Sequence, residues 1–201
     1  MKLFAFSDVH GNIKKINRIL NLIKKEKPDV TICAGDISDF GKSLYNILKK
    51  FSNVKNFIII PGNHEDENRL KRICKELKLM YLHKASFILD SFVFFGYGGG
   101  GFSKIEGEFE SVSKRFMKTV GNRKIILVTH APPYGTKIDN INGVYSGCIS
   151  FNKFIEKTNP LLHICGHLHE TGGYVDNIKS TPIINPGSSG KIIALSDNPK
   201  F

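Results

Sequence analysis

Short polar clusters punctuate the chain just after apolar runs: Asp8-Val9-His10, Gly35-Asp36, Gly62-Asn63-His64, His130 and Gly166-His167-Leu168-His169. Imidazole, carboxylate and amide oxygen with no thiolate form a ligand set suited to Mn, Fe, Zn, Ni or Co, and too rich in imidazole for Ca or Mg. In Asp8-x-His10 and His167-x-His169, alternate residues of an extended segment can turn the same way, so each pair can present two donors to one space. With Asp36, Asn63 and His130 the donors suffice for two metals. Each cluster alone has a plain explanation, since an Asp at a strand end often caps the next helix and a lone His such as His83 or His163 is usually a packed or surface residue. Recurrence of all five at strand ends is what argues for chemistry.

These clusters need a scaffold that brings them together. Ile13, Ile16, Ile19, Leu20 and Ile23 recur at three- and four-residue steps, predicting an amphipathic helix between strands at residues 2–7 and 29–34. The unit repeats through a helix at 43–51, a strand at 56–60 and a helix at 67–78, which implies parallel pairing with helical crossovers. Residues 81–97 read as short β-rich runs, and the glycine cluster at 98–101 as a flexible hairpin end. A helix at 108–120 and a strand at 124–129 precede a long loop, 131–148, that is structureless by pattern. A helix at 150–157, a strand at 161–165 and hairpin material at 173–196 follow. The expectation is an α/β fold of two packed sheets flanked by helices, with a single domain over residues 1–201. Carboxyl ends of parallel strands share one edge, where ligand sites form, and the five clusters fall there.

Composition sets further bounds. The 201 residues are 41% hydrophobic, enough to bury a substantial core and to exclude disorder. Lys and Arg number 29 against 18 Asp and Glu, a formal charge of +11. The lysines, among them Lys14, Lys15, Lys24, Lys25, Lys49 and Lys50, are spread along helices and form no tract, so a solvated basic surface explains them better than a nucleic-acid partner does. No run approaches the roughly 20 apolar residues of a membrane span. The opening segment passes from Lys2 into a strand without an apolar leader, and Cys33, Cys74, Cys148 and Cys165 lack CxxC spacing. A cytoplasmic protein with reduced, mostly buried thiols is expected.

The order Asp8-x-His10, Gly35-Asp36, Gly62-Asn63-His64-Glu65, His130, Gly166-His167-x-His169 resembles the calcineurin-like metallophosphoesterase superfamily over nearly the whole chain. Thr129-His130-Ala131-Pro132-Pro133-Tyr134-Gly135-Thr136 and Asn185-Pro186-Gly187-Ser188 resemble its small single-domain prokaryotic members. The resemblance implies a two-sheet β-sandwich flanked by helices, a four-layer αββα arrangement. It puts Asp8, His10 and His169 on one divalent transition-metal ion and Asn63, His130 and His167 on another. Asp36 would bridge the two through its two oxygens. Manganese is the first expectation, with Fe, Zn, Ni or Co open. His64 would stand beside the scissile phosphate, and Asp39 would orient it. In the implied chemistry, two ions roughly 3.5–4 Å apart acidify a bridging water whose hydroxide attacks phosphorus, while His64 serves the leaving oxygen.

Departures from relatives narrow the substrate. The superfamily's protein phosphatases carry Asp-Arg-Gly where Asp39 is followed here by Phe40 and Gly41, so a phosphate-gripping Arg is missing. Its nucleases add capping domains, for which 201 residues leave no room. A small-molecule phosphate ester is expected, a phosphodiester before a monoester. A phosphomonoesterase and a non-catalytic metal-binding scaffold are the alternatives, and a scaffold need not keep His64.

Overall fold

A computed structural model describes residues 1–196 and 199–201. Period-2 alternation in the strands builds its layers. Strand β1 (Lys2–Phe6) sends Leu3 and Ala5 to one face and Phe4 and Phe6 to the other. Helix α1 (Ile13–Glu26) follows, its first turn capped by the Asn12 side chain, which accepts the Lys15 N–H at 3.1 Å. Next come β2 (Val30–Cys33), α2 (Leu44–Lys49), β3 (Phe57–Ile59), α3 (Glu67–Glu76) and β4 (Met80–Tyr81). The strands β1 to β4 pair in parallel and in sequence order.

The chain then changes sheet. β5 (Ala85–Leu89) and β6 (Phe92–Tyr97) form an antiparallel pair, and α4 (Gly107–Met117) crosses to β7 (Lys124–Thr129), which is parallel to β6. A two-stranded excursion, β8 (Asn140–Ile141) with β9 (Val144–Tyr145), precedes α5 (Ile149–Thr158) and β10 (Leu162–Ile164). The hairpin β11 (Val175–Ile178) and β12 (Thr181–Ile184) completes the six-stranded order β11-β12-β10-β7-β6-β5. Finally β13 (Lys191–Ala194) leaves the predicted hairpin region and returns to the first sheet, antiparallel to β1.

Three large apolar clusters, with a smaller one of Ile138, Cys165 and Ile183, hold these layers together among the described residues. Leu3, Ile32, Ile58, Phe94, Ile126 and Ile164 belong to one cluster drawn from both sheets. Phe6, Phe57 and Ile59 lie in a second with residues of α1, α2 and α3, and Phe95 and Leu127 in a third with Phe109, Phe151 and Phe154 of α4 and α5. Each sheet is thus apolar on both faces, as a sheet covered on both sides requires. The expected α/β fold of two helix-flanked sheets is what the structure has. All four cysteines are buried and unpaired, and among the described residues no helix is long and apolar enough to cross a membrane.

Two loop expectations are corrected. The segment 131–148 is not structureless: buried Asp139 accepts the N–H groups of Gly135 (3.0 Å), Thr136 (2.6 Å) and Gly147 (2.9 Å) and the Thr136 hydroxyl (3.1 Å), folding the loop about one carboxylate. A run without apolar periodicity hid a fold held by polar bonds. The glycines at 98–101 are not a hairpin end either, because the β5–β6 hairpin turns at Asp90 and Ser91 and the glycines lie after β6. They are pinned: Gly98 N–H donates to His83 Nδ1 at 2.8 Å and Gly99 N–H to the Pro61 carbonyl at 2.9 Å. A Cβ at Gly98 would overlap that carbonyl. Replacing Asp139 by Ala strands several buried donors, each worth about 1–3 kcal/mol. Asp139→Ala should therefore lower the urea midpoint and open residues 134–147 to proteolysis, and an unchanged midpoint would refute the carboxylate's role.

Candidate metal centre

The last apolar residue of each central strand is followed within a few residues by a polar one. Asp8 comes after β1, Asp36 after β2, Asn63 after β3, His130 after β7 and His167 after β10. Four of the polar residues sit in the left-handed region: Asp8 (φ 56°), His10 (48°), Asp36 (53°) and His167 (72°). Such backbone is costly outside glycine and gathers at functional sites. It turns each chain sharply off its strand, aiming consecutive polar side chains into one space.

All seven expected donors meet there, with His64. His10 Nε2 and His169 Nε2 are 2.9 Å apart, and Asp8 Oδ1 is 3.8 Å from His169 Nε2. On the other side Asn63 Oδ1 is 2.9 Å from His130 Nε2 and 3.0 Å from His167 Nδ1. Asp36 stands between: its Oδ2 is 3.6 Å from His10 Nε2, 3.6 Å from His130 Nε2 and 3.9 Å from His64 Nε2. Its Oδ1 accepts the His64 backbone N–H at 2.9 Å, so a single oxygen faces both groups, where the resemblance implied two. Asp39 Oδ1 lies 3.7 Å from His64 Nδ1, beyond hydrogen-bond range, and its Oδ2 is 3.2 Å from Lys42 Nζ.

The arrangement suits a divalent cation. Three sets of side chains place ligand atoms close enough to share an ion: Asp8, His10 and His169; His10, Asp36 and His64; and Asp8, Asp36 and His130. His130 Nδ1 lies 2.9 Å from the Ala34 carbonyl, so a neutral ring donates there and turns a bare Nε2 toward the Asn63 oxygen. In that tautomer the imidazole nitrogen and the amide oxygen are two donors that one cation could share. Burial pushes the His10 imidazole below its usual range, and burial with the neighbouring His130 takes His167 to about 4. Both therefore hold the neutral form that binds metal. Burial drives Asp8 upward, a penalty on its charge that a cation would offset.

One organising residue had no assigned role in the sequence. Glu65 is buried, and its two oxygens accept the backbone N–H groups of Asp36, Ser38 and Gly62, each at 2.9 Å, and the Ser38 hydroxyl at 2.9 Å. It ties the β2 and β3 ends together, and a Cβ at Gly62 would overlap the Asp36 carboxylate. Its place after Gly62-Asn63-His64 was the available signal. His83 and His163 stay outside the cluster: His83 is held by the Gly98 N–H, and fully buried His163 lies 2.7 Å from the Thr129 hydroxyl with burial pushing it down to about 3. A cavity of about 480 Å³ opens beside Asp8, His10 and His169 and is lined also by Asn12, Lys15, Ser188 and Lys191.

Known proteins resemble this chain in sequence and in fold. An uncharacterised protein of Methanocaldococcus jannaschii is 30% identical over 198 residues, spanning 92% of this chain and 88% of that one. A protein of Arcobacter nitrofigilis named a probable glycerophosphodiester phosphodiesterase is 26% identical over 176 residues, covering 81% of this chain and 64% of its own. Among solved structures, TT1561 of Thermus thermophilus superposes with a TM-score of 0.78 at 15% identity, covering 94% of this chain and 90% of that one, a likeness of fold. The model of the calcineurin-like phosphoesterases matches residues 1–171, which contain every strand end described above. The chain belongs to that family of metal-dependent phosphoesterases.

Proposed function

We propose that this protein hydrolyses a small phosphodiester with two divalent transition-metal ions. Asp8, His10, His169 and Asp36 would hold one ion, and Asp36, Asn63, His130 and His167 the other. The observation that carries this reading is the single Asp36 oxygen facing imidazoles of both groups. Manganese is our first assignment for the ion, since nitrogen and oxygen donors without thiolate accept it. When bound, the ions supply Lewis acidity toward phosphate oxygens and make water a competent nucleophile at neutral pH.

The chain's own groups do the rest. His64 is anchored by its backbone N–H on Asp36, and its ring packs edge-on to His10 at 4.6 Å. Its Nε2 is directed at the cluster, where it would donate a proton to the departing ester oxygen, and the Asp39 carboxylate stands 3.7 Å from Nδ1 on the other side of the ring. Lys15 and Lys191 line the adjoining cavity and attract an anionic substrate. A diester is favoured over a monoester on two grounds: the name of the Arcobacter relative, and a cavity lining without arginine. Four buried, unpaired cysteines fit a reducing cytoplasm.

Elemental analysis of protein loaded with manganese and freed of excess should give two ions per chain; one or fewer rejects the dinuclear reading. Glu65→Gln puts an amide N–H against backbone donors and loosens the β2 and β3 ends. Manganese affinity should fall by about 10- to 100-fold with far-UV circular dichroism unchanged, and undiminished affinity would remove Glu65 from the assembly. His64→Ala should keep both ions while kcat drops by roughly 10²- to 10⁴-fold. The loss should be smaller for a nitrophenyl diester, whose leaving group needs little help, than for an alkyl diester. Metal lost in proportion to activity would make His64 a ligand, and equal losses on the two esters would replace proton donation by electrostatic stabilisation.

A further inference from the structure

Two phenylalanines sit on the cluster without belonging to any core. Phe40 is 70% exposed and Phe102 66%, and large apolar side chains left in water at a site point to something that covers them. The Phe40 ring lies 4.1 Å from the His64 ring with an interplanar angle of 32°, and Phe102 meets His167 edge-on at 4.5 Å. From Phe40 the rings continue through His64 to His10 and His169, and from Phe102 through His167 to His130. The phenylalanines therefore close separate ends of one imidazole cluster.

Their backbone settings add to this. Phe40 has φ 46°, a left-handed conformation that is a genuine outlier for a bulky residue and is retained where function requires it. Phe102 comes directly after the glycines at 98–101, which the Pro61 and His83 contacts dock against the β3 end. Both rings are held by loops anchored to the strand ends that carry the polar residues.

We propose, resting on the phosphodiesterase reading above, that Phe40 and Phe102 stack on the flat heteroaromatic rings of the two groups whose sugar oxygens are esterified to the scissile phosphate, so that the substrate is a small nucleoside phosphodiester. Phenyl faces pair with heteroaromatic rings in offset or edge-on geometry, and every nucleobase has such a face. Phe40, against the residue that serves the leaving oxygen, receives the departing nucleoside. Phe102, against His167, receives the retained one. An alkyl ester of equal charge gains neither contact, and the basic surface admits either.

The test compares manganese-loaded wild type, Phe40→Ala, Phe102→Ala and Phe40→Trp on a dinucleoside monophosphate and on glycerophosphoglycerol, a diester of the same single negative charge without rings. Wild type should prefer the dinucleoside. Each Ala variant should raise its KM about tenfold and reduce the dinucleoside-to-alkyl ratio of kcat/KM accordingly, and Phe40→Trp should restore it. Equal wild-type efficiency on the two diesters overturns the proposal. So does a fall in kcat on both with KM unchanged, which would make Phe40 a positioning residue for His64. Preference for a single-stranded oligonucleotide over the dinucleoside would overturn the small-molecule part. If wild type hydrolyses neither diester, the phosphodiesterase reading fails on its own. Calorimetry still decides the stacking: adenosine monophosphate should bind about tenfold tighter than ribose 5-phosphate, an advantage lost in the Ala variants, and equal affinities in wild type would refute it.

Discussion

Two carboxylates, Asp8 and Asp36, are buried at the ends of adjacent parallel strands, and imidazoles are the ion-pair partners of both among the described residues. Unpaired buried charge costs several kcal/mol per ion, so the surrounding chain is arranged to meet it. The His167 N–H lies 3.1 Å from both oxygens of Asp8, and the His64 N–H takes one oxygen of Asp36. Glu65 adds a third buried carboxylate, which its backbone donors hold in place although burial and the repulsion of Asp36 push its titration upward. Backbone donors and the surrounding imidazoles soften this concentration of negative charge. A cation placed among them supplies what the chain lacks, and its binding energy then counts toward the folded state.

That electrostatic demand explains why the site was legible before the fold was seen. Oxygen and imidazole donors must arrive from different strands, and each must follow an apolar run, so the pattern is written locally at Asp8, Asp36, Asn63, His130 and His167. Helices and strands of the first sheet were equally legible, because the Ile16 and Ile19 face of α1 and the paired faces of β1 to β3 leave clean periodicities. Less was legible where structure depends on polar bonds distant in space. Asp139 organises its loop through four acceptor contacts that no spacing rule announces, and the glycines at 98–101 owe their place to Pro61 and His83. The return of β13 to pair with β1 is a contact across nearly the whole chain, and a four-residue strand near a hairpin gives no hint of which sheet it joins. Whether Asp36 faces the cluster with one oxygen or two is likewise a matter of which backbone N–H reaches it first.

The fold also separates two tasks. Seven polar residues leave strand ends whose inner faces share one apolar cluster, so their positions are fixed by packing as dense as an organic crystal. Rings and cations that would touch the rest of a substrate, Phe40, Phe102, Lys15 and Lys191, stand on loops or at exposed element ends. Changes at the second group leave the core untouched, whereas a change at the first disturbs both charge balance and strand ends. A site built on strands is held more precisely than one built on loops, and loops vary at little cost to stability. Specificity in this chain is therefore to be sought on the loops, at Phe40, where the protein phosphatases of the superfamily would carry an arginine, and along the loop that carries Phe102.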